Sequence, residues 1–278
     1  MSKYDEVSAS AYFAFKNLWY NRLQLIISWG VNPIRTSHYE KAFVVGDIHG
    51  MADEFEELLE KWSPQDQQLI LIGDYMDRGY ANQKVLEKIW ELQSQYSVIT
   101  LRGNHEEMLL NFLRSPSNYF NHFVMNGAVE TLSQLTDLPE QLITKANSRK
   151  LTRQLKRCYP RLEDWLMNLP YYVEFGEFII VHAGIDLSLD DWHQTSDYDF
   201  LWLRDHFHHA INQTGKQIIF GHTPTMVLNQ NYYNSDVWRK DGKWGIDGGA
   251  VFGGQLHALE ISQSAVIDIH SVRVQEGN

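Results

Sequence analysis

The sequence predicts an α/β fold built on parallel strands. Three observations carry this. Short apolar runs alternate with segments of helical periodicity from residue 42 onward. The runs are apolar throughout, as strands are when both faces are covered. Most of them end in a glycine beside aspartate, histidine or asparagine, and in open α/β sheets chemistry lies beyond the carboxyl ends of strands.

Taken in order, the segment from about Glu6 to Trp29 repeats Tyr12, Phe15, Trp19 and Leu23 at helical spacing. It reads as a helical extension over residues 1–40, ahead of a domain spanning 41–278. Ala42 to Val45 is a buried strand. MADEFEELLEKW follows as a helix with Phe55, Leu58, Leu59 and Trp62 on one face. QLILIGD is a second strand, QKVLEKIWELQSQY a second helix, SVITLRGNH a third strand, and EEMLLNFL opens a third helix. From about 111 to 170 strand patterns vanish and leucine recurs at helical spacing, which predicts a helical insertion. YYVEFGEFIIVHAG is a hairpin turning near Phe175 to Glu177, and QIIFGHT a further strand. KWGIDGG, QLHALEIS and AVIDIHSV read as closing antiparallel strands. Tyr232, Tyr233 and Trp238 fall in a loop, where they either line a cleft or staple the loop.

Composition narrows the function. The 35 acidic against 24 basic residues leave a formal charge of −11, a poor basis for wrapping a nucleic-acid backbone. No run approaches the 18 apolar residues of a membrane span, and Lys16, Asn17, Asn21 and Arg22 interrupt the aromatic N-terminal stretch where a signal peptide would be apolar. The single cysteine, Cys158, excludes an intrachain disulfide framework and fits a reducing compartment. The expectation is a cytoplasmic protein without nucleic-acid or membrane partners.

The strand tips are G46-D47-I48-H49-G50, G73-D74-Y75-M76-D77-R78-G79, G103-N104-H105-E106, V181-H182-A183-G184 and G221-H222-T223. Asp, His and Asn without thiolate suit Mn, Fe or Zn. A carboxylate such as Asp74 can bridge two ions, and two ions about 3.5–4 Å apart can clamp a phosphate and activate water. Taken singly, each tip also reads as a turn, a helix cap or a core histidine. All five in order, each at a strand end, are hard to read as structure alone.

This ordered set resembles the calcineurin-like metallophosphoesterases, and within them the PPP-type serine/threonine phosphatases of bacteria and phage. The resemblance implies a four-layer sandwich of two mainly mixed β-sheets flanked by helices. It implies that Asp47 and His49 bind one metal, that Asp74 bridges, and that Asn104, His182 and His222 complete the second. It makes His105 the general acid, Asp77 its orienting partner, and Arg78 a phosphate ligand. The family's second arginine falls on Arg204, which alternatively forms a salt bridge with Asp205 or a neighbouring acid. Asp247, in I-D-G-G, is either a hydrogen-bond partner behind a ligand histidine or a turn former.

The implied activity is phosphomonoester hydrolysis by direct attack of a metal-bridging hydroxide, with two divalent ions, Mn²⁺ first and Fe or Zn as alternatives. The implied substrate is a phosphoserine or phosphothreonine protein or a small phosphorylated metabolite. A symmetric dinucleoside tetraphosphate hydrolase is the alternative on the same scaffold, though Asp77 and the N-H-E triplet point away from it. A silent phospho-binding scaffold is the non-enzyme alternative, and a nuclease fits the acidic chain least. The run His206 to His209, the strand residue His257, the helix-start acids Glu106 and Glu107, and Cys158 are read as structural.

Overall fold

The computed structural model describes residues 39–275, so the expected extension over 1–40 lies, but for Tyr39 and Glu40, outside the described residues. Among the described residues, ten strands form two five-stranded sheets. The first is ordered β10-β9-β1-β2-β3, with β1 (Lys41–Val45), β2 (Gln67–Leu71) and β3 (Val98–Thr100) parallel. β9 (Gln255–Ser262) and β10 (Val266–Arg273) extend it antiparallel past β1. The second is ordered β4-β5-β6-β8-β7. Here β5 (Phe178–Val181), β6 (Gln217–Phe220) and β8 (Lys243–Gly245) are parallel, while β4 (Tyr172–Phe175) and β7 (Trp238–Lys240) lie antiparallel at the edges.

The pleat sorts the core into layers, because successive side chains point to opposite faces. Ala42, Val44, Ile70 and Ile72 meet Val173, Phe175, Ile180 and Ile219 between the sheets. On the other face of the first sheet, Phe43, Val45, Leu69 and Leu71 pack under helices. Those helices are α1 (Ala52–Leu59), α2 (Asn82–Gln95), α3 (Asn104–Arg114), α4 (Pro116–Met125), α5 (Ala128–Thr136), α6 (Ser148–Cys158) and α7 (Leu162–Met167). On the outer face of the second sheet, Ile179, Val181, Ile218 and Phe220 pack against Phe200 and Phe207 of α8 (Asp197–Trp202) and α9 (Asp205–His209). A last short helix is α10 (Thr225–Leu228). The result is the expected four layers. No described helix is long and apolar enough to cross a membrane.

Two readings of strands need correction. KWGIDGG contributes β8, which runs parallel to β6 rather than as one of the closing antiparallel strands. Trp238 lies on β7, antiparallel to β8, and not in a loop. Both strands are three residues long, too short for alternation to carry a direction. Between β3 and β4 the chain is helical after α3, with α4 to α7 and two short 3-10 turns before strands resume at Tyr172.

Candidate metal centre

The parallel strands of both sheets end at one place. Asp47 and His49 follow β1, Asp74 follows β2, Asn104 and His105 open α3 beyond β3, His182 follows β5, His222 follows β6 and Asp247 follows β8. Every one of these side chains is buried.

The turns that present them are strained. His49, Asp74, Asp77, Arg78 and His222 all have positive φ, five of the eight described non-glycine residues that do. Such conformations cost about 1–3 kcal/mol each and persist only where surroundings over-determine them. The surroundings are visible. Glu106 accepts the backbone N–H groups of Asp74 (2.8 Å), Tyr75 (3.0 Å) and Gly103 (2.9 Å). Asp77 accepts from the Thr131 hydroxyl (2.6 Å), which itself takes the Asp77 N–H (2.9 Å). The Arg78 N–H donates to the Gly127 carbonyl at 2.8 Å. The helical insertion thus fixes the D-R-G turn through Gly127 and Thr131, neither of which carried any signal in the sequence. Gly221 is needed for approach, since a Cβ there would stand 2.0 Å from Asp47 Oδ1.

Two ligand-capable clusters result: His49, Asp74 and His105, and Asp74, His182 and His222, each with its atoms within 4.8 Å of one another. Asp74 belongs to both, as a bridging carboxylate does. Around the second, Asn104 Oδ1 lies 2.9 Å from His182 Nε2 and 2.9 Å from His222 Nδ1. An octahedral ion with bonds of about 2.1 Å sets adjacent ligand atoms roughly 3 Å apart, so this spacing fits one. His182 Nδ1 faces the Ile72 carbonyl at 3.1 Å and His49 Nδ1 the Met76 carbonyl at 2.8 Å. Each ring therefore donates from Nδ1 and turns Nε2 inward, the usual tautomer of a metal-bound histidine. The residues fit a pair of divalent ions.

The first cluster differs from the expected set. It includes His105 and leaves out Asp47. His105 Nδ1 is bonded to Asp77 Oδ2 at 2.7 Å, and its Nε2 faces Arg78 Nη2 at 2.8 Å. The Asp47 carboxylate receives the His222 N–H, at 3.0 Å to Oδ2. For Asp247, the turn is what the hydrogen bonds show. Its Oδ1 accepts from the Gly249 N–H at 3.0 Å, and among the described residues no histidine nitrogen is bonded to it.

The electrostatics are those of a site built for positive charge. Burial pushes the Asp47 carboxyl up, and Asp247 and Asp74 push the same way. Asp247 is raised to about 6, by burial first. Burial would raise Asp74 too, but His182, His105, His49 and His222 hold it well below the ordinary carboxylate range. Burial, then His105, takes His49 down to about 3, so its ring is neutral and free to ligate. His105 goes the other way: burial lowers it, but Asp74 and Asp77 raise it further.

Arg204 stands at the start of α9, with Nη1 donating to Thr223 Oγ1 (2.8 Å) and the His222 carbonyl (3.2 Å). It is not paired with Asp205. The other end of the same helix is held by a residue that carried no signal in the sequence. Lys243 is fully buried and donates to the carbonyls of Phe207 (3.1 Å), His208 (3.2 Å) and Ala210, closing the far end of α9. Of the 206–209 run, Phe207 and His208 are buried against Phe220 and none joins a ligand cluster. His257 is buried, between Ser271 Oγ and the Ser235 carbonyl.

Residues 41–247 match the family described as calcineurin-like phosphoesterase. The chain is similar to the asymmetrical bis(5'-nucleosyl)-tetraphosphatase PrpE of Anoxybacillus flavithermus, 25% identical over 259 residues, covering 82% of this chain and 93% of that one. The enzyme of the same name from Bacillus cereus is 27% identical over 252 residues, with 82% and 93% covered. Among solved structures, one provisionally described as a diadenosine tetraphosphatase superposes with a TM-score of 0.60 at 17% identity, covering 88% of this chain and 97% of that one. A serine/threonine phosphatase from Saccharomyces cerevisiae superposes with a TM-score of 0.53 at 15% identity, covering 87% and 83%.

Proposed function

The chain belongs to the calcineurin-like phosphoesterase family and is a metal-dependent phosphoesterase, and we propose that it hydrolyses dinucleoside tetraphosphates. The observation that carries this is the similarity, over four-fifths of the chain, to relatives named for that activity. Of the two activities expected from the sequence, the alternative is therefore preferred. Its expected symmetric outcome is replaced by the asymmetric one in those relatives' names.

In this reading Asp47 and His49 would hold one ion, Asn104, His182 and His222 the other, and Asp74 both. Two ions bound there supply charge neutralisation at the phosphoryl oxygens and acidify a water. The chain's own residues do the rest. Arg78 and Arg204 offer planar, paired donors to phosphate oxygens. In the structure Arg78 donates to His105 Nε2. An arriving phosphoryl oxygen takes that donor and frees Nε2 to hold a proton. Asp77, fixed by Thr131, anchors Nδ1 so that Nε2 points at the departing oxygen. His105 then delivers the proton as the P–O bond breaks.

Protein phosphatase activity is the second reading. The Asp77–His105 pair favours it, because an alkoxide leaving group needs a proton more than a nucleotide phosphate does. The test is kcat/KM for diadenosine tetraphosphate against a phosphoserine peptide, with product analysis. ATP plus AMP is the expected outcome. Two ADP would restore the symmetric alternative, and a tenfold preference for the peptide would overturn the reading.

A further inference from the structure

A cavity of about 190 Å³ is lined by none of the residues that the chemistry above uses. Its walls include Met226, Tyr232, Tyr233, Phe252 and Arg273. Phe252 joins it to the phosphate-facing side, for the Arg78 guanidinium carbon is 5.6 Å from the centre of its ring. We infer that this cavity is a nucleobase site, holding one base of a nucleotide whose phosphate chain runs past Phe252 to Arg78. The inference rests on the dinucleotide reading and gives it a specificity element.

Four features support it. Tyr232 is 81%, Tyr233 96% and Phe252 57% exposed. Three aromatic rings around one cavity are costly to leave in water and cheap to cover with another flat ring.

Their exposure is held, not slack. Ser235, two residues past Tyr233, is buried. Its carbonyl accepts from Thr225 Oγ1 (2.9 Å) and meets His257 Nε2 (2.6 Å), and its hydroxyl accepts from Gln255 Nε2 at 3.0 Å. The base of the tyrosine loop is thereby pinned to α10 and β9 while its tip projects.

Part of the lining is bare backbone: at Gly253, next to Phe252, a Cβ would meet nothing within 4 Å. A flat ligand can slide against it. Finally, Arg273 adds a planar cation at the wall, and with Arg78 it gives an acidic protein two local positive points for a polyanion. An apolar peptide side chain would use the rings but not this pair of guanidinium groups.

Base stacking on aromatic side chains is a contribution that alanine substitution reads as roughly 5- to 150-fold in affinity. The experiment compares the metal-loaded wild type with Tyr232→Ala/Tyr233→Ala and Phe252→Ala. The first variant alters only exposed rings, so its fold is safe. Each protein is assayed on diadenosine tetraphosphate, p-nitrophenyl phosphate and a phosphoserine peptide, with AMP and inorganic phosphate as competitors. The expected result is a fall of about tenfold or more in kcat/KM for the dinucleotide relative to p-nitrophenyl phosphate, carried by KM. AMP should also lose its advantage over phosphate as an inhibitor. If wild type prefers the dinucleotide and both variants keep its ratio within about twofold, the base site is wrong and the proposed function stands. If wild type shows no dinucleotide preference, the proposed function and the base site fall together. If the variants lose peptide turnover selectively, the aromatic wall reads peptide and the base assignment is overturned.

Discussion

Arg78 Nη1 sits 2.7 Å from His49 Nε2, the nitrogen left free by the bond from Nδ1 to the Met76 carbonyl. A guanidinium therefore occupies a place on a lone pair that a metal ion would use, and the same group turns its other nitrogen to His105. Cation and arginine compete for one imidazole. Arg78→Ala should lose about 10²–10³ in kcat/KM, as when a charge-stabilising donor is removed, while binding the first ion as tightly as wild type or more so. Calorimetric metal titration beside steady-state kinetics checks this. Loss of metal from the variant would mean that Arg78 builds the site instead of answering to it.

Chelation should abolish turnover, and Mn²⁺ should restore it better than Mg²⁺. Mg²⁺ prefers oxygen octahedra and dehydrates reluctantly, while histidine nitrogens favour later metals. Asp74→Asn should release both ions, because its oxygens lie 3.4 Å from His182 Nε2 and 3.5 Å from His49 Nε2. Elemental analysis after dialysis reads the outcome; one ion retained per chain would deny Asp74 the bridging position.

His105→Asn should keep its metal and slow turnover by about 10²–10⁴ for an alkyl phosphate. The loss should be smaller for p-nitrophenyl phosphate and for a dinucleoside tetraphosphate, whose leaving groups need less protonation. Equal losses on all three substrates would show that His105 does not supply the proton, and loss of an ion would place it among the ligands.

Lys243→Met should weaken Arg204 without touching it. The variant leaves the three carbonyls at the end of α9 without their ammonium donor, at a cost of about 1–3 kcal/mol. KM should rise and kcat fall together, with Lys243→Arg restoring part of both. A destabilised variant with unchanged kinetic constants would confine Lys243 to folding.

His208 gives a pH test away from the metals. Burial lowers it to about 4; Asp205 opposes this, while Arg204, His209 and Lys243 push the same way as burial. An unfolded histidine titrates near 6.5. Between those values the unfolded chain takes up a proton that the folded chain refuses, so this contribution is present above about pH 6.5 and is lost as pH falls toward 4. The Tm of His208→Phe should therefore drop less than that of wild type between pH 7 and 4.5. Parallel Tm curves would mean that His208 is not held neutral.

The covered strands and the polar residues at their tips were legible in the sequence alone. The continuous apolar runs at β1, β2, β5 and β6 read as strands covered on both faces, and Asp, Asn and His at one strand end after another are hard to read as structure alone. Those are local signals, written in adjacent residues. The remaining features are non-local. A three-residue β8 takes its direction from its neighbour β6, not from its own pattern. Thr131 reaches Asp77 across 54 positions, and Lys243 closes a helix more than 30 residues behind it. The left-handed backbone of His49, Asp74, Asp77, Arg78 and His222 exists because packed partners outweigh its strain. Asp247 bonds Gly249 rather than a histidine for the same reason: spacing along the chain fixes which groups are available, and packing in three dimensions fixes which of them meet.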